Sequence, residues 1–417
     1  MKIYQVGGAV RDRLLNKKSQ DNDFVVVGSG IEEMLQKGFR QVGKKFPVFL
    51  HPETKEEYAL ARKEIKTGPG HGDFSFVFSA DVSLREDLER RDFTCNALAV
   101  DLETGELSDY FNGRKDIENH LLRHVNSDHF PEDPLRVLRM CRFAAQLDFD
   151  VAPETMDLAR KMTKAGMLHC LSAERIWKEF EKALSCDGFF RFVETMRDCG
   201  ALKDLVPELD KLWQVPERFT FHPEGTTGEH LMLALKQSAT ESALVKFGVL
   251  MHDIGKGQTP TEVLPAHHGH DKKGEALIFE ICKRFKIPNK YRDFAVLSAV
   301  FHMRFYQLPE NKFGKQVWLA ESVTKKHESD LEDFISVCRA DFFGTLAERT
   351  PKDIQVFELS AQRLRKIASL LCRIKAEQMP NFCKMPKDET FALKYREFKL
   401  NRLQKLLKEE PLKSSEK

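Results

Sequence analysis

The chain has 417 residues, 41% of them hydrophobic and 31% charged, the make-up of a folded globular protein with room for roughly two to four domains. A formal net charge of only +2 excludes a globally basic nucleic-acid binder, so any such surface must come from segregation of charge. No apolar run reaches transmembrane length, the strand pattern starts by Ile3 and leaves no room for a signal peptide, and the nine cysteines stand singly without a C-x-x-C pair. These features predict a cytoplasmic protein with reduced thiols and no membrane contact.

Ile3, Tyr4 and Val6 form a short apolar run that Gly7-Gly8 breaks, where the backbone must turn or approach a ligand closely. Ala9 to Leu15 follows as a helix whose first N–H groups point at whatever lies over the glycines. Asp21 and Asp23 lead into Phe24-Val25-Val26-Val27, so on a strand both carboxylates emerge on one face. They repel each other unless a hard divalent cation such as Mg²⁺ sits between them. Ile31 to Lys37 reads as a short helix, and 46–51 and 57–62 as strands, with Glu57, Ala59 and Ala61 on one side of the second. Lys66 to Gly72 is a glycine- and proline-rich loop. The alternation of short strands and helices up to about Leu107 is an α/β pattern, and from Pro131 onward helix patterns dominate.

Arg90-Arg91-Asp92-Phe93-Thr94-Cys95-Asn96-Ala97-Leu98-Ala99 pairs two guanidiniums suited to phosphate oxygens; a salt-bridge cluster with Asp87, Glu89 and Asp92 is the plainer reading. In Glu132-Asp133-Pro134-Leu135-Arg136, Asp133 is placed as a helix N-cap and Pro134 as the first helical residue. Arg136, Arg139 and Arg142 then fan across one side of the helix. One carboxylate oxygen of Asp133 can cap while the other reads a base. Further on, His252-Asp253 follows the apolar run Phe247 to Met251 and so lies at or near a helix end. His230 lies upstream, His267, His268 and His270 downstream, and His302 and Asp341 on later helix patterns. After Pro380 apolar clusters thin out, and the chain is expected to end frayed.

GGAVRD with DND, RRDFTCNALA, DYFNGRKD, EDPLR and LSAERIWKE occur in the order seen in class II tRNA nucleotidyltransferases, the CCA-adding enzymes, with the bacterial poly(A) polymerases as close relatives. This resemblance is dense from Met1 to Cys186. It departs at Asp109-Tyr110-Phe111-Asn112-Gly113, where the family usually has Asp-Pro, and that puts the rigidity of this turn in question. The histidine–aspartate series resembles the HD phosphohydrolases. Together the likenesses imply an α/β head of the polymerase β-like nucleotidyltransferase fold over 1–130 and a mostly α-helical neck and body over 131–220. An all-α HD domain over 221–345 and a helical tail over 346–417 complete the expected chain.

The resemblance further implies template-independent addition and repair of the tRNA 3′-CCA end from CTP and ATP. Asp21 and Asp23 would hold Mg²⁺ as the catalytic carboxylates, with Glu57 as a third carboxylate or an ion-paired edge residue. Gly8, Arg11 and Arg91 would contact the nucleotide, and Arg139 matches a second arginine of the family's nucleotide site. Asp133 and Arg136 match its protein template. The physical logic is direct, because cytosine and adenine both present an amino donor beside a ring-nitrogen acceptor, which a carboxylate and a guanidinium complement. Uracil and guanine reverse that pattern. Glu174 and Arg175 read as structural braces. In the HD region the likeness implies His230, His252, Asp253 and Asp341 as one metal shell, with His270 and His302 as second-site ligands. An imidazole-rich set suits a transition metal, Ni²⁺ foremost, and activates water against phosphate esters. Phosphatase, 2′-nucleotidase and 2′,3′-cyclic phosphodiesterase activities are the implied reactions. The partner is the tRNA acceptor arm, and monomer and homodimer stay open. The alternatives are a poly(A) polymerase that incorporates ATP alone, and an HD phosphohydrolase with an RNA-binding head, for which intact Asp21, Asp23, Asp133 and Arg136 would have no use.

Overall fold

The computed structural model describes residues 1–18, 22–42, 48–66, 74–77, 80–324, 330–380, 382 and 389–410. The chain divides into two compact units, Met1–Ala183 with Arg191–Leu205, and Leu184–Phe190 with Val206 onward. The stretch 131–220, expected as a neck, is thus shared between them.

The first unit is built on a seven-stranded sheet. β1 (Lys2–Val6) and β2 (Asp23–Val27) flank the short helix α1 (Gly8–Leu14) and pair antiparallel, Val6 opposite Asp23. After α2 (Ile31–Gln36) come β3 (Arg40–Val42), β4 (Val48–Leu50) and β5 (Glu57–Leu60). The ladder of β6 (Lys63–Lys66) and β7 (Phe74–Val77) stands apart. Helix α3 (Leu84–Glu89) precedes β8 (Ala99–Asp101) and β9 (Leu107–Ser108), which close the order β3-β4-β5-β2-β1-β8-β9. The parallel neighbour of β2 is β5, not β1. Phe24, Val25 and Val26 are all buried because the strand is covered on both faces. Val25 packs with Val6, Leu88 and Ala99 on one side, while Phe24 and Val26 pack with Met34, Phe49 and Tyr58 on the other. Residues 67–73 of the glycine-rich loop lie outside the described residues.

Helix α4 (Gly113–Glu118) follows the turn where the resemblance lacks its proline. The Asp109 carboxylate accepts from the backbone N–H of Gly113 at 2.8 Å and of Arg114 at 2.9 Å, and Asn112 takes the left-handed conformation at φ 60°. A side-chain cap thus supplies the fixity that the proline would have given. Apart from a short parallel ladder of Leu121–Leu122 with Asp150–Val151, the rest of the unit is helical: α5 (Leu135–Leu147), α6 (Pro153–Lys164), α7 (Ala173–Leu184), α8 (Phe189–Asp198) and α9 (Ala201–Leu205).

In the second unit α10 (Pro207–Asp210) leads to α11 (Thr227–Gln237) and α12 (Ala243–Met251). Helix α12 is buried from Leu244 to Met251, apolar except for Lys246, which donates to the Cys186 carbonyl, and packs on α11, α14 (Asn289–Tyr306) and α16 (Asp330–Phe343). Helix α13 (His270–Arg284) precedes α14, and α15 (Phe313–Thr324) precedes α16. Helices α17 (Pro351–Leu371) and α18 (Glu389–Glu409) complete the unit. The tail, read as poor in apolar clusters, therefore carries a helix of 21 residues seated by the buried Leu403 and Leu406; 411–417 lie outside the described residues.

A Cβ on Gly113 would lie 2.2 Å from the Thr94 carbonyl oxygen, a backbone atom that cannot step aside. Gly113→Ala should therefore destabilise the first unit by about 2–3 kcal/mol in urea unfolding. It should also disturb nearby Asn96, while Gly105→Ala, with no heavy atom near its Cβ, should leave Asn96 in place.

Candidate functional site

Two clusters of functional side chains form, one in each unit. In the first, Gly7 precedes α1 at φ 72°, and a Cβ there would lie 2.9 Å from the Arg91 guanidinium, so glycine lets the backbone pass under an arginine. The cleft over it measures about 840 Å³ and is lined by Gly8, Arg11, Lys17, Lys18, Asp23, Arg90, Arg91, Asp133, Arg136, Arg139 and Lys182 among others. Cations outnumber carboxylates there, which suits a polyanionic ligand. Asp23 is exposed at the end of β2 and sits in register beside Glu57 on β5, so these two carboxylates share a sheet face. Asp21 lies outside the described residues. Two hard oxygen donors side by side at the edge of a cationic cleft fit a magnesium-type ion.

Buried anions hold the arginines in place. Arg11 is buried and donates to Asn96 Oδ1 at 2.6 Å and to Asp12 at 2.7 Å. Arg139 forks onto Asp92 Oδ2 at 2.6 and 2.8 Å, and Arg142 donates to Glu179 at 2.5 Å while stacking over Phe143 at 4.0 Å. Arg11 and Arg139 also face that ring, each at 5.3 Å. Burial works against the Asp92 charge, but Arg139, helped by Asn96, outweighs it and holds the carboxyl at about 2. Arg90 and Arg91 both pair with the fully buried Asp87, so the salt-bridge reading of that motif and the cleft reading hold together.

The N-cap of α5 is Pro134 rather than Asp133, which sits one residue earlier and accepts from Leu135 N at 3.0 Å, while its other oxygen is bound by Arg175 at 2.8 Å. Arg136 donates to the backbone carbonyls of His129 at 2.7 Å and Arg90 at 2.6 Å. Arg175, read as a brace from sequence, thus touches the candidate base reader itself. Only the proximity of α7 to α5 reveals this, and no local pattern encodes it.

In the second unit every predicted ligand converges. The His230 Nε2 lies 2.9 Å from Asp341, and His252 Nε2 lies 3.2 Å from Asp253 and 3.6 Å from Asp341. His270 and His302 approach the other Asp253 oxygen at 3.6 and 3.5 Å. The outer nitrogens are spoken for: His252 Nδ1 bonds the Val249 carbonyl at 2.7 Å, His270 Nδ1 that of His267 at 2.7 Å, and His302 Nδ1 that of Ser298 at 3.0 Å. With Nδ1–H on its carbonyl, a neutral ring turns its Nε2 lone pair toward the carboxylate oxygens, an arrangement that a proton or a metal cation on Nε2 relieves. The inner atoms of His252, His270 and Asp253 are buried without a hydrogen-bond partner. Burial opposes a charge on His252, yet Asp253 and Asp341 hold its pKa well above the usual imidazole value, whereas burial lowers that of His270. Such a set calls for a cation, and one or two imidazole-favouring metal ions fit it, with Asp253 between the two groups. Sequence reasoning missed two supports. Glu224 accepts from His222 at 2.9 Å and from His230 Nδ1 at 3.1 Å, and Lys256 bridges Asp253 and Glu217 at 2.8 Å each. The H-x-E spacing of His222 and Glu224, and the position of Lys256 one helical turn after Asp253, were the available signals.

The chain matches the family models of the poly A polymerase head domain over residues 3–123, the probable RNA- and SrmB-binding site of polymerase A over 148–212, and the HD domain over 222–341. The multifunctional CCA protein of Dechloromonas aromatica is 46% identical over 375 residues, 89% of this chain and 90% of that protein. That of Thioalkalivibrio sulfidiphilus is 48% identical over 350 residues, 82% of this chain and 85% of its own. Among solved structures, the Bacillus stearothermophilus CCA-adding enzyme in complex with CTP aligns at a TM-score of 0.65 and 23% identity, covering 97% of this chain and 89% of that one. The Thermotoga maritima CCA-adding enzyme complexed with tRNA aligns at 0.59 and 18%, covering 98% and 90%, so these two likenesses speak to the fold.

The Asp92 carboxyl, held at about 2 against an ordinary 3.8, stabilises the folded protein above pH about 4 and loses that contribution as pH falls toward about 2. Asp92→Asn should cost about 2 kcal/mol in urea unfolding at neutral pH, and the gap to wild type should narrow steadily below pH about 4.

Proposed function

The chain belongs to the family of multifunctional CCA proteins, tRNA nucleotidyltransferases with a polymerase-type head and an HD domain, and from that membership we propose that it builds and repairs the 3′-terminal CCA of tRNA and also hydrolyses phosphate esters. The observation that carries the reading is the single cleft that gathers Asp23, the arginines and the Asp133–Arg136 pair.

In this mechanism the tRNA 3′-hydroxyl attacks the α-phosphorus of CTP or ATP in line, the bond to the bridging oxygen breaks, and pyrophosphate leaves. Asp21 and Asp23, with Glu57 beside Asp23, would hold Mg²⁺, which supplies charge neutralisation on the triphosphate and an easier deprotonation of the hydroxyl. Arg11, Arg91 and the Gly8 N–H grip triphosphate oxygens. Asp133 accepts from the exocyclic amino group of the base, and Arg136 donates to its ring nitrogen. Because Asp133 holds Arg175 and Arg136 holds two carbonyls without substrate, an incoming base exchanges into bonds that already exist. A base with the reversed pattern would break those bonds and return none, and so is rejected. Arg139, fixed by Asp92, keeps the wall of the pocket rigid. Exposed Lys161 and Lys164 on α6 are candidate contacts for the backbone of the acceptor arm.

At the HD centre His230, His252, Asp253 and Asp341, with His270 and His302, would hold a transition metal, Ni²⁺ by preference, which supplies an acidified water for phosphate-ester hydrolysis. Lys256 keeps Asp253 ionised, and Glu224 orients His230. Phosphatase, 2′-nucleotidase and 2′,3′-cyclic phosphodiesterase reactions all fit such a centre. The setting is the cytoplasm.

Labelled CTP and ATP supplied separately to a tRNA lacking its 3′ end test the head. Addition of C and then A supports the reading, and long A tracts with CTP unused would mean a poly(A) polymerase. Asp23→Asn should lower nucleotide addition on the order of a thousandfold and spare the phosphohydrolase; His252→Ala should do the reverse. Arg136→Ala should lose discrimination against UTP by roughly ten- to a hundredfold. Loss of both activities in either of the first two variants would defeat the separation of roles.

A further inference from the structure

Among the described residues, three of the four most exposed large apolar side chains gather at one place: Phe219 at 76%, Leu346 at 64% and Phe221 at 58%. That place is the edge of the HD centre. Phe221 immediately precedes His222, whose ring stands edge-on to that of His230 at 4.5 Å. Thr345 Oγ1 lies 2.9 Å from Glu224 and 3.1 Å from the Phe221 carbonyl, its one proton shared between the two acceptors. The backbone N–H of Leu346 donates to Glu224 at 3.2 Å, so the carboxylate that orients His230 also ties both apolar segments to the metal cluster.

The loop bearing the phenylalanines is closed and braced. Glu217 N donates to the Gly225 carbonyl at 2.9 Å, and the N–H groups of Phe221 and His222 donate to Arg218 O at 3.0 and 2.9 Å. The Glu217 side chain accepts from Thr227 and Lys256, each at 2.8 Å. Two rings are therefore held in water on a fixed frame rather than tucked inside. Large exposed apolar patches of this kind mark binding surfaces.

We propose that Phe219 and Phe221, backed by Leu346, form a stacking platform for the base of a nucleoside phosphate whose phosphate is hydrolysed at the HD centre. The inference rests on the phosphohydrolase reading above and deepens it by naming the residues that select the substrate. A sugar or glycerol phosphate offers no flat apolar surface to two benzene rings. A nucleoside phosphate carries phosphate and base on one ribose, and every base has a face to stack.

The test uses the full-length protein loaded with Ni²⁺ and compares hydrolysis of adenosine 2′-monophosphate with that of glycerol 2-phosphate. For F219A/F221A the KM for the nucleotide should rise about tenfold, within the range of base–aromatic stacking, with kcat unchanged and glycerol 2-phosphate unaffected. Phe221→Trp should keep a wild-type KM for the nucleotide, and CCA addition should be untouched in both variants. Equal changes on both esters, or none on either, would overturn the platform. So would a drop in oligomeric state by light scattering with the KM unmoved, which would make the patch a contact between copies of the chain. If the wild-type protein cleaved glycerol 2-phosphate and the nucleotide with the same KM, the platform alone would fall. If it cleaved neither, the phosphohydrolase reading would fall and the platform with it.

Discussion

The head depends on crowding like charges into a small space and keeping them there without substrate. Arg11, Arg139 and Arg142 all face the ring of Phe143, and mutual repulsion would drive them apart in water. Asp92 and Glu179 hold Arg139 and Arg142 from behind, and Asn96 and Asp12 hold Arg11. Since Asp92 lies in the segment after α3 and Arg139 on α5, this pairing also ties the sheet side of the unit to its helical side. A cleft wall organised in this way would cost little to reorganise around a polyanionic ligand, which is the condition for electrostatic preorganisation.

The HD centre meets the converse constraint. Its crowded groups are lone pairs rather than cations: imidazole Nε2 atoms and carboxylate oxygens point inward, while every outer Nδ1 is committed to a carbonyl or to Glu224. Lys256 balances part of the negative charge from one side, and Tyr306 donates to Asp341 at 2.8 Å from another. What is left over is the inner face, whose clustered donor atoms suit a cation with several coordination positions.

The sequence made legible whatever is local. The glycine pair, the helix after it and the strand after Asp23 lie within one strand–turn–helix–strand unit, and the His-Asp pair falls where the apolar run of α12 ends. The histidines of the HD cluster were readable because histidines on helix patterns are few. The supports were harder to read. Arg175 on Asp133 joins α7 to the start of α5 and no spacing records it, whereas Glu224 and Lys256 leave only short spacings that do not say which groups they meet. The helix α18 shows how few apolar residues such a tail needs. Leu403 and Leu406 suffice to seat α18, because a helix needs a stripe rather than a cluster.

The engaged state of Asp133 and Arg136 bears on how one pocket can read without a template. If the two side chains pointed freely into solvent, any base could recruit them in whatever orientation served it, and selectivity would be small. Held by Arg175 and by the carbonyls of His129 and Arg90, they present one direction each. A base that matches both directions replaces bonds of similar strength, whereas a base that matches neither leaves a guanidinium and a carboxylate unsatisfied. On the proposed reading, the protein contacts that compete with the substrate would give the pocket its power to refuse.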